Sequence, residues 1–159
     1  MKIIPNYIQN AEQIIAHLKM FYMDKFSPRV GDDAHTGIIP NLYSNFLTLK
    51  DCNMERQLLE MIFAESQFDP DLIDFRNFIQ IQYYPPGAYI CPHFDVYSIN
   101  KLHLVTLTTS DCDGLVISDG KGGLIKIYDE AGQYIDFDNS LFHWVDPVKD
   151  ERFTMVIAE

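Results

Sequence analysis

Residues 102–137 read LHLVTLTTSDCDGLVISDGKGGLIKIYDEAGQYIDF. Short runs of Leu, Val, Ile, Thr and Tyr alternate with punctuation at Asp113-Gly114, Gly122-Gly123 and Ala131-Gly132. β-branched and aromatic residues suit a pleated, half-buried surface, and glycine with aspartate suits the tight turns between such segments. The stretch therefore predicts strands near residues 102–109, 115–117, 124–128 and 133–137. The same texture extends outward to residues 75–83, to 88–94 after the Pro85-Pro86-Gly87 turn, and to 152–158 at the far end. Strands in that number point to a barrel or a sandwich.

The first third has a different period. Ile8, Ile14, Ile15, Leu18, Phe21 and Tyr22 fall on one side of a helix over residues 7–26, which Ser27-Pro28 should end. Residues 28–45 collect Gly, Pro, Asp, Asn and Ser and predict a long loop, a candidate lid. A second helix is expected from Asp51 as N-cap to just before Phe68, with Met54, Leu58, Met61 and Ile62 as core. The class is mainly β with supporting helices (α+β). One domain over residues 1–159 is expected, with 1–70 as helical support and loop and 71–159 as the β core.

The chain has 159 residues, 47% of them hydrophobic, which is enough to bury a core. Its formal charge of -11 disfavours nucleic acid as a partner, because neutralising phosphates needs clustered Lys and Arg. Lys19, Lys25 and Arg29 form only a thin basic group. Three separated cysteines, Cys52, Cys91 and Cys112, show no disulfide framework. After Met1-Lys2 the apolar run is Ile3-Ile4, short of a signal segment, and no stretch has the length of a membrane span. A cytoplasmic protein away from the membrane is the expectation.

Chemistry enters at His93-Phe94-Asp95. Residues i and i+2 of a strand project from one face, so an imidazole and a carboxylate can grip a common ion. An HxD triplet is weak evidence by itself. It gains weight from His143 in Asn139-Ser140-Leu141-Phe142-His143-Trp144-Val145, which can return on a later strand as the third ligand. Two imidazoles and one carboxylate on one face of iron(II) leave positions open for co-substrate and oxygen. Nine residues on, Arg152 and Thr154 share a strand face as a cation and a hydroxyl able to hold a carboxylate. A guanidinium buried there makes sense chiefly with an anionic ligand to pair it.

Tyr84-Pro-Pro-Gly, His93-x-Asp95, Ala131-Gly132-x4-Phe137, His143-x-Val145 and Arg152-x-Thr154, in this order, resemble the prolyl 4-hydroxylase-like branch of the iron(II)/2-oxoglutarate-dependent dioxygenases. The resemblance covers about residues 75–158. It implies a double-stranded β-helix, or jelly roll, with the N-terminal helices packed on one sheet. It implies iron(II) at His93, Asp95 and His143, and 2-oxoglutarate held at its distal carboxylate by Arg152, Thr154 and Tyr84. With O2 the co-substrate would give succinate and CO2 while a substrate C–H bond is hydroxylated. Two departures stand out: Thr108-Thr109-Ser110 replaces a Tyr-Leu-Asn-like segment, and Gly-Gly-x-Leu is reduced to Asp113-Gly114-Leu115.

The expected substrate is peptidyl, of prolyl type. Alternatives are a small free molecule such as an amino acid, or a non-catalytic metal-binding domain of the same fold. Oxidative demethylation of nucleic acid is disfavoured by the acidity. His17, His35 and His103 are read as structural or solvated, and zinc at Cys91 and Cys112 is set aside because structural zinc sites need four closely spaced ligands. Trp144 is read as a core residue. Asp111, Asp113, Asp119, Asp129, Asp136 and Asp138 are read mostly as turn formers and solvated charge.

Overall fold

The computed structural model describes residues 1–28, 47–50, 53–68, 79–95, 102–138 and 140–158. In chain order the elements are β1 (Lys2–Ile4), α1 (Ala11–Phe21), β2 (Ser27–Pro28), β3 (Leu47–Lys50), α2 (Arg56–Ala64), β4 (Ile79–Tyr84), β5 (Ile90–His93), β6 (Leu102–Thr106), β7 (Gly114–Ser118), β8 (Leu124–Tyr128), β9 (Tyr134–Asp136), β10 (His143–Val145) and β11 (Arg152–Ala158). Among the described residues they form two antiparallel sheets. One has the order β1-β9-β6-β11-β4-β3-β2 and the other β5-β10-β7-β8.

Strand β11 is the spine of the larger sheet and is buried on both sides. Phe153, Met155 and Ile157 join Ile79, Ile81 and Val105 in a cluster closed by Ile14 and Leu18 of α1 and Leu58 and Ile62 of α2. Both helices thus lie on that face, their apolar stripes buried as the 3.6-residue period requires. The opposite face contributes Tyr84, Leu104, Ile135 and Val156 to a second cluster with Ile90, Leu115, Ile117, Ile127 and Val145 of the smaller sheet. Because side chains alternate along a strand, Arg152 and Thr154 share the face of Val156, the face that looks between the sheets.

Helix α1 begins four residues later than its period predicts. The amides of Tyr7 and Ile8 bond to the Gly132 carbonyl at 2.7 and 3.2 Å, and that of Gln9 to Glu65 at 2.9 Å, so this segment is tied to its neighbours before the helix starts. Gly132 (φ +79°) permits the approach: a Cβ there would stand 2.0 Å from the Ile8 carbonyl oxygen. The helix ends at Phe21 rather than near residue 26, as Lys25 N–H turns back to the Tyr22 carbonyl at 2.9 Å. Glu55, in extended conformation (φ -76°, ψ 155°), is the N-cap of α2 in place of Asp51, which lies outside the described residues. The Asn10 side-chain amide joins the two helices through the Met61 carbonyl at 2.8 Å.

Strands β1, β2 and β3 were not expected. Each is short and owes its existence to a partner, β1 to β9, β2 to β3 and β3 to β4, rather than to its own pattern. Of the expected loop over 28–45 only Pro28 is described, in β2, so the candidate lid lies outside the described residues.

Candidate metal centre

Strands β5 and β10 run antiparallel with His143 directly opposite His93, which puts both imidazoles on one face of the smaller sheet. Asp95, two residues beyond His93, continues that face just past the strand end. The ring centroids are 4.3 Å apart. Asp95 Oδ1 lies 3.8 Å from His93 Nε2, and its Oδ2 3.5 Å from His143 Nε2. One ligand atom from each of the three residues lies within 4.8 Å of the others, and among the described residues no other His, Cys, Asp or Glu group does this. Cys91 and Cys112 belong to no such group among those residues.

The two histidines are oriented alike. His93 Nδ1 is 2.9 Å from the Cys91 carbonyl oxygen and His143 Nδ1 is 2.9 Å from that of Leu141. A carbonyl can only accept, so each Nδ1 carries the proton and donates, and each Nε2 lone pair faces Asp95 and the shared centre. Ligand atoms on an ion with bonds of about 2.1 Å at right angles stand about 3 Å apart, so small side-chain rotations close the set. The donor set, two imidazole nitrogens and one carboxylate oxygen, fits iron(II). Phe137 packs edge-on against His143 at 4.8 Å between centroids, and both histidines are buried.

Arg152 begins β11 opposite Tyr84. The structure supplies its anion from within the chain, where the sequence suggested a ligand would. Its Nε and Nη2 donate to Asp129 Oδ2 and Oδ1 at 2.6 and 3.1 Å, in a two-pronged pair whose side chains are 2% and 0% exposed. The Tyr84 ring covers the guanidinium at 5.0 Å. Burial, the largest influence, works against the charge, but attraction and hydrogen bonding from Asp129, with smaller help from Tyr84 and Asp113, hold the guanidinium protonated above its ordinary range. Thr154 Oγ1 and the Tyr84 hydroxyl both donate to Gln82 Oε1, at 3.2 and 3.3 Å.

Asp129 and Gln82 are the residues that sequence reasoning missed. A turn-former reading suits Asp119 and Asp138, whose carboxylates accept nearby backbone N–H groups. It does not suit Asp129 or Asp113, which are buried. Asp113 accepts the amides of Lys149 and Asp150 at 2.9 and 3.3 Å and so shapes the turn that delivers Arg152. The signal for Asp129 was indirect: an arginine expected in the interior demands an interior anion. Trp144 is not a core residue either. It points away from the metal face, is half-buried, and donates its indole N–H to Asp146 at 3.0 Å. His103 is buried against the Tyr134 hydroxyl, as a structural histidine would be. Lys19 pairs with Glu151 and Lys25 with Glu55, which leaves little of the thin basic group. Arg29 and His35 lie outside the described residues.

The arrangement of sheets recurs in solved structures. A prolyl-4-hydroxylase of Pseudomonas putida superposes with a TM-score of 0.66 at 14% identity, over 99% of this chain and 90% of that one. A prolyl hydroxylase of Trichoplax adhaerens, solved with a peptide fragment of the hypoxia inducible factor oxygen degradation domain, gives 0.70 at 13% identity, over 99% and 81%. The fold is that of the prolyl-hydroxylase-like iron(II)/2-oxoglutarate oxygenases. A viral collagen prolyl hydroxylase from Paramecium Bursaria Chlorella virus-1, as its 2-oxoglutarate complex, gives 0.58 at 14% identity, over 99% and 93%. No protein-family model and no curated protein matches the sequence. On this fold, His93, Asp95 and His143 form a group whose ligand atoms could hold one metal ion.

Proposed function

We propose that the protein is an iron(II)- and 2-oxo-acid-dependent oxygenase that hydroxylates a C–H bond, with a peptidyl, prolyl-type substrate as the leading class. The observation that carries the reading is the convergence of His93 Nε2, His143 Nε2 and an Asp95 oxygen, with both imidazoles locked by backbone carbonyls in the tautomer that metal binding requires. We read the two sheets as the double-stranded β-helix of the enzymes above. The peptide preference rests on prolyl hydroxylases being among the matched folds, one of them solved with a peptide.

Iron(II) with a 2-oxo acid and O2 would supply the oxidative chemistry, releasing CO2 and the shortened acid, succinate in the case of 2-oxoglutarate. The chain's own contribution is geometric. Cys91 and Leu141 carbonyls fix the histidine rings, and Phe137 walls one side of His143. Asp95 is the least buried of the three ligands, its side chain 16% exposed against 6% and 8%. Among the described residues no helix is long and apolar enough to cross a membrane.

A second reading, a metal-binding domain without turnover, is favoured by one observation: the arginine expected to receive a co-substrate already has its anion. Aerobic incubation of the iron(II) protein with 2-oxo acid and a panel of proline-containing peptides and free amino acids separates the two. Iron-dependent consumption of the 2-oxo acid, with a 16-dalton gain on one substrate class, supports the oxygenase and identifies its substrate. Consumption no faster than in His143→Ala across the panel refutes it.

A further inference from the structure

Four observations converge between the sheets. Arg152 is sealed against Asp129 by two hydrogen bonds at 2.6 and 3.1 Å, so the pair carries no net charge. It lies in the same inter-sheet layer as His143: Tyr84, which covers Arg152, shares one apolar cluster with Phe137, which packs on His143. The neighbouring donors, the Thr154 and Tyr84 hydroxyls, are both turned to the uncharged acceptor Gln82 Oε1. Asp129 and Arg152 are 0% and 2% exposed, so water screens neither.

We infer that Asp129 sets the co-substrate specificity of this site, which accepts 2-oxo acids with an uncharged far end at least as well as it accepts 2-oxoglutarate. The inference rests on the oxygenase reading above and deepens it. A second carboxylate brought toward Arg152 meets the carboxylate of Asp129, a like charge in a dry layer, where repulsion is strong. It must displace Asp129, and so strand a buried anion, or lie beside it. A methyl or other uncharged end meets neither penalty, in a layer whose buried side chains include Leu115, Ile127 and Val145. What would remain common to both co-substrates is the 2-oxo-carboxylate end, which would bind at an ion held by His93, Asp95 and His143 and would owe nothing to Arg152.

The test compares binding of 2-oxoglutarate with that of 2-oxopentanoate, which has a methyl in place of the second carboxylate. The iron(II) protein is titrated anaerobically, and the visible charge-transfer band of keto-acid chelation is followed in wild type and Asp129→Asn. The wild type is expected to bind the two acids within about threefold of each other, and Asp129→Asn to gain about tenfold or more for 2-oxoglutarate alone. The rise in melting temperature on adding each acid should follow the same order. A wild type that prefers 2-oxoglutarate more than about threefold, or a folded Asn variant whose preference does not move toward it, overturns the inference and leaves the oxygenase reading intact. Absence of the band with every 2-oxo acid overturns both. If Asp129→Asn does not fold, the wild-type ratio alone decides.

Discussion

The Asp129–Arg152 pair makes a prediction that needs no metal. With both side chains sealed and hydrogen-bonded twice, truncating one partner leaves the other as an uncompensated buried charge, a loss of about 3–5 kcal/mol. For a chain of this size about 1 kcal/mol moves the melting temperature by roughly 2–4 °C, so Asp129→Ala should melt roughly 6–20 °C below wild type. Replacing both partners by apolar residues of similar volume, Asp129→Leu with Arg152→Met, should recover most of that loss, because the desolvation cost of the ions disappears with their attraction. Urea unfolding of wild type, Asp129→Leu, Arg152→Met and the double variant gives the coupling energy directly. The arginine pKa is raised by the pair, so its contribution is complete below the unfolded arginine value and is lost only as pH rises through the still higher folded one. The cycle should therefore give the same coupling across neutral pH. An Asp129→Ala variant within about 1 kcal/mol of wild type would refute the sealed pair and the specificity argument built on it.

Gly132→Ala should destabilise by about 2 kcal/mol or more, since φ is +79° and the new Cβ would sit 2.0 Å from the Ile8 carbonyl oxygen; equal urea midpoints for variant and wild type would contradict it. The Asp138 carboxylate, held below its ordinary range first by the Ser140 hydroxyl and then by the Ser140 amide, should titrate nearer that range in Ser140→Ala. Its folded pKa is depressed, so its small stabilising effect is present at neutral pH and fades as pH falls through the folded value. NMR titration of the carboxyl carbon checks this, and an unmoved pKa in the variant would count against the turn that leads into β10.

Most strands from residue 79 onward were legible because local pattern and tertiary demand agree there: β8 and β11 begin and end where the runs of strand-forming residues say they should, whereas β10 was expected only as a later strand carrying His143. The triad was legible for a related reason. The i, i+2 spacing of His93 and Asp95 is a property of one strand, and His143 needed only to lie opposite. What stayed hidden depends on partners far away in sequence. Strand β1 has three residues and no distinguishing pattern, and exists because β9 offers an edge. The start of α1 is set by the Gly132 carbonyl, more than a hundred residues away. Asp129 reads as one more acidic residue before an Ala-Gly turn, and only the placement of Arg152 reveals it as an interior counter-ion. Gln82 gave no signal at all, since an exposed glutamine and one that gathers two hydroxyls look alike in sequence.

His93, Asp95 and His143 should hold one metal ion, and cobalt(II) standing in for iron(II) tests this without oxygen chemistry. Titration followed by visible absorption should show ligand-field bands saturating at one equivalent, with both histidine side chains shifted in the NMR spectrum. His93→Ala, Asp95→Ala and His143→Ala should each abolish saturable binding while keeping the wild-type circular dichroism. Undiminished one-equivalent binding in all three folded variants would place the metal elsewhere and contradict the account.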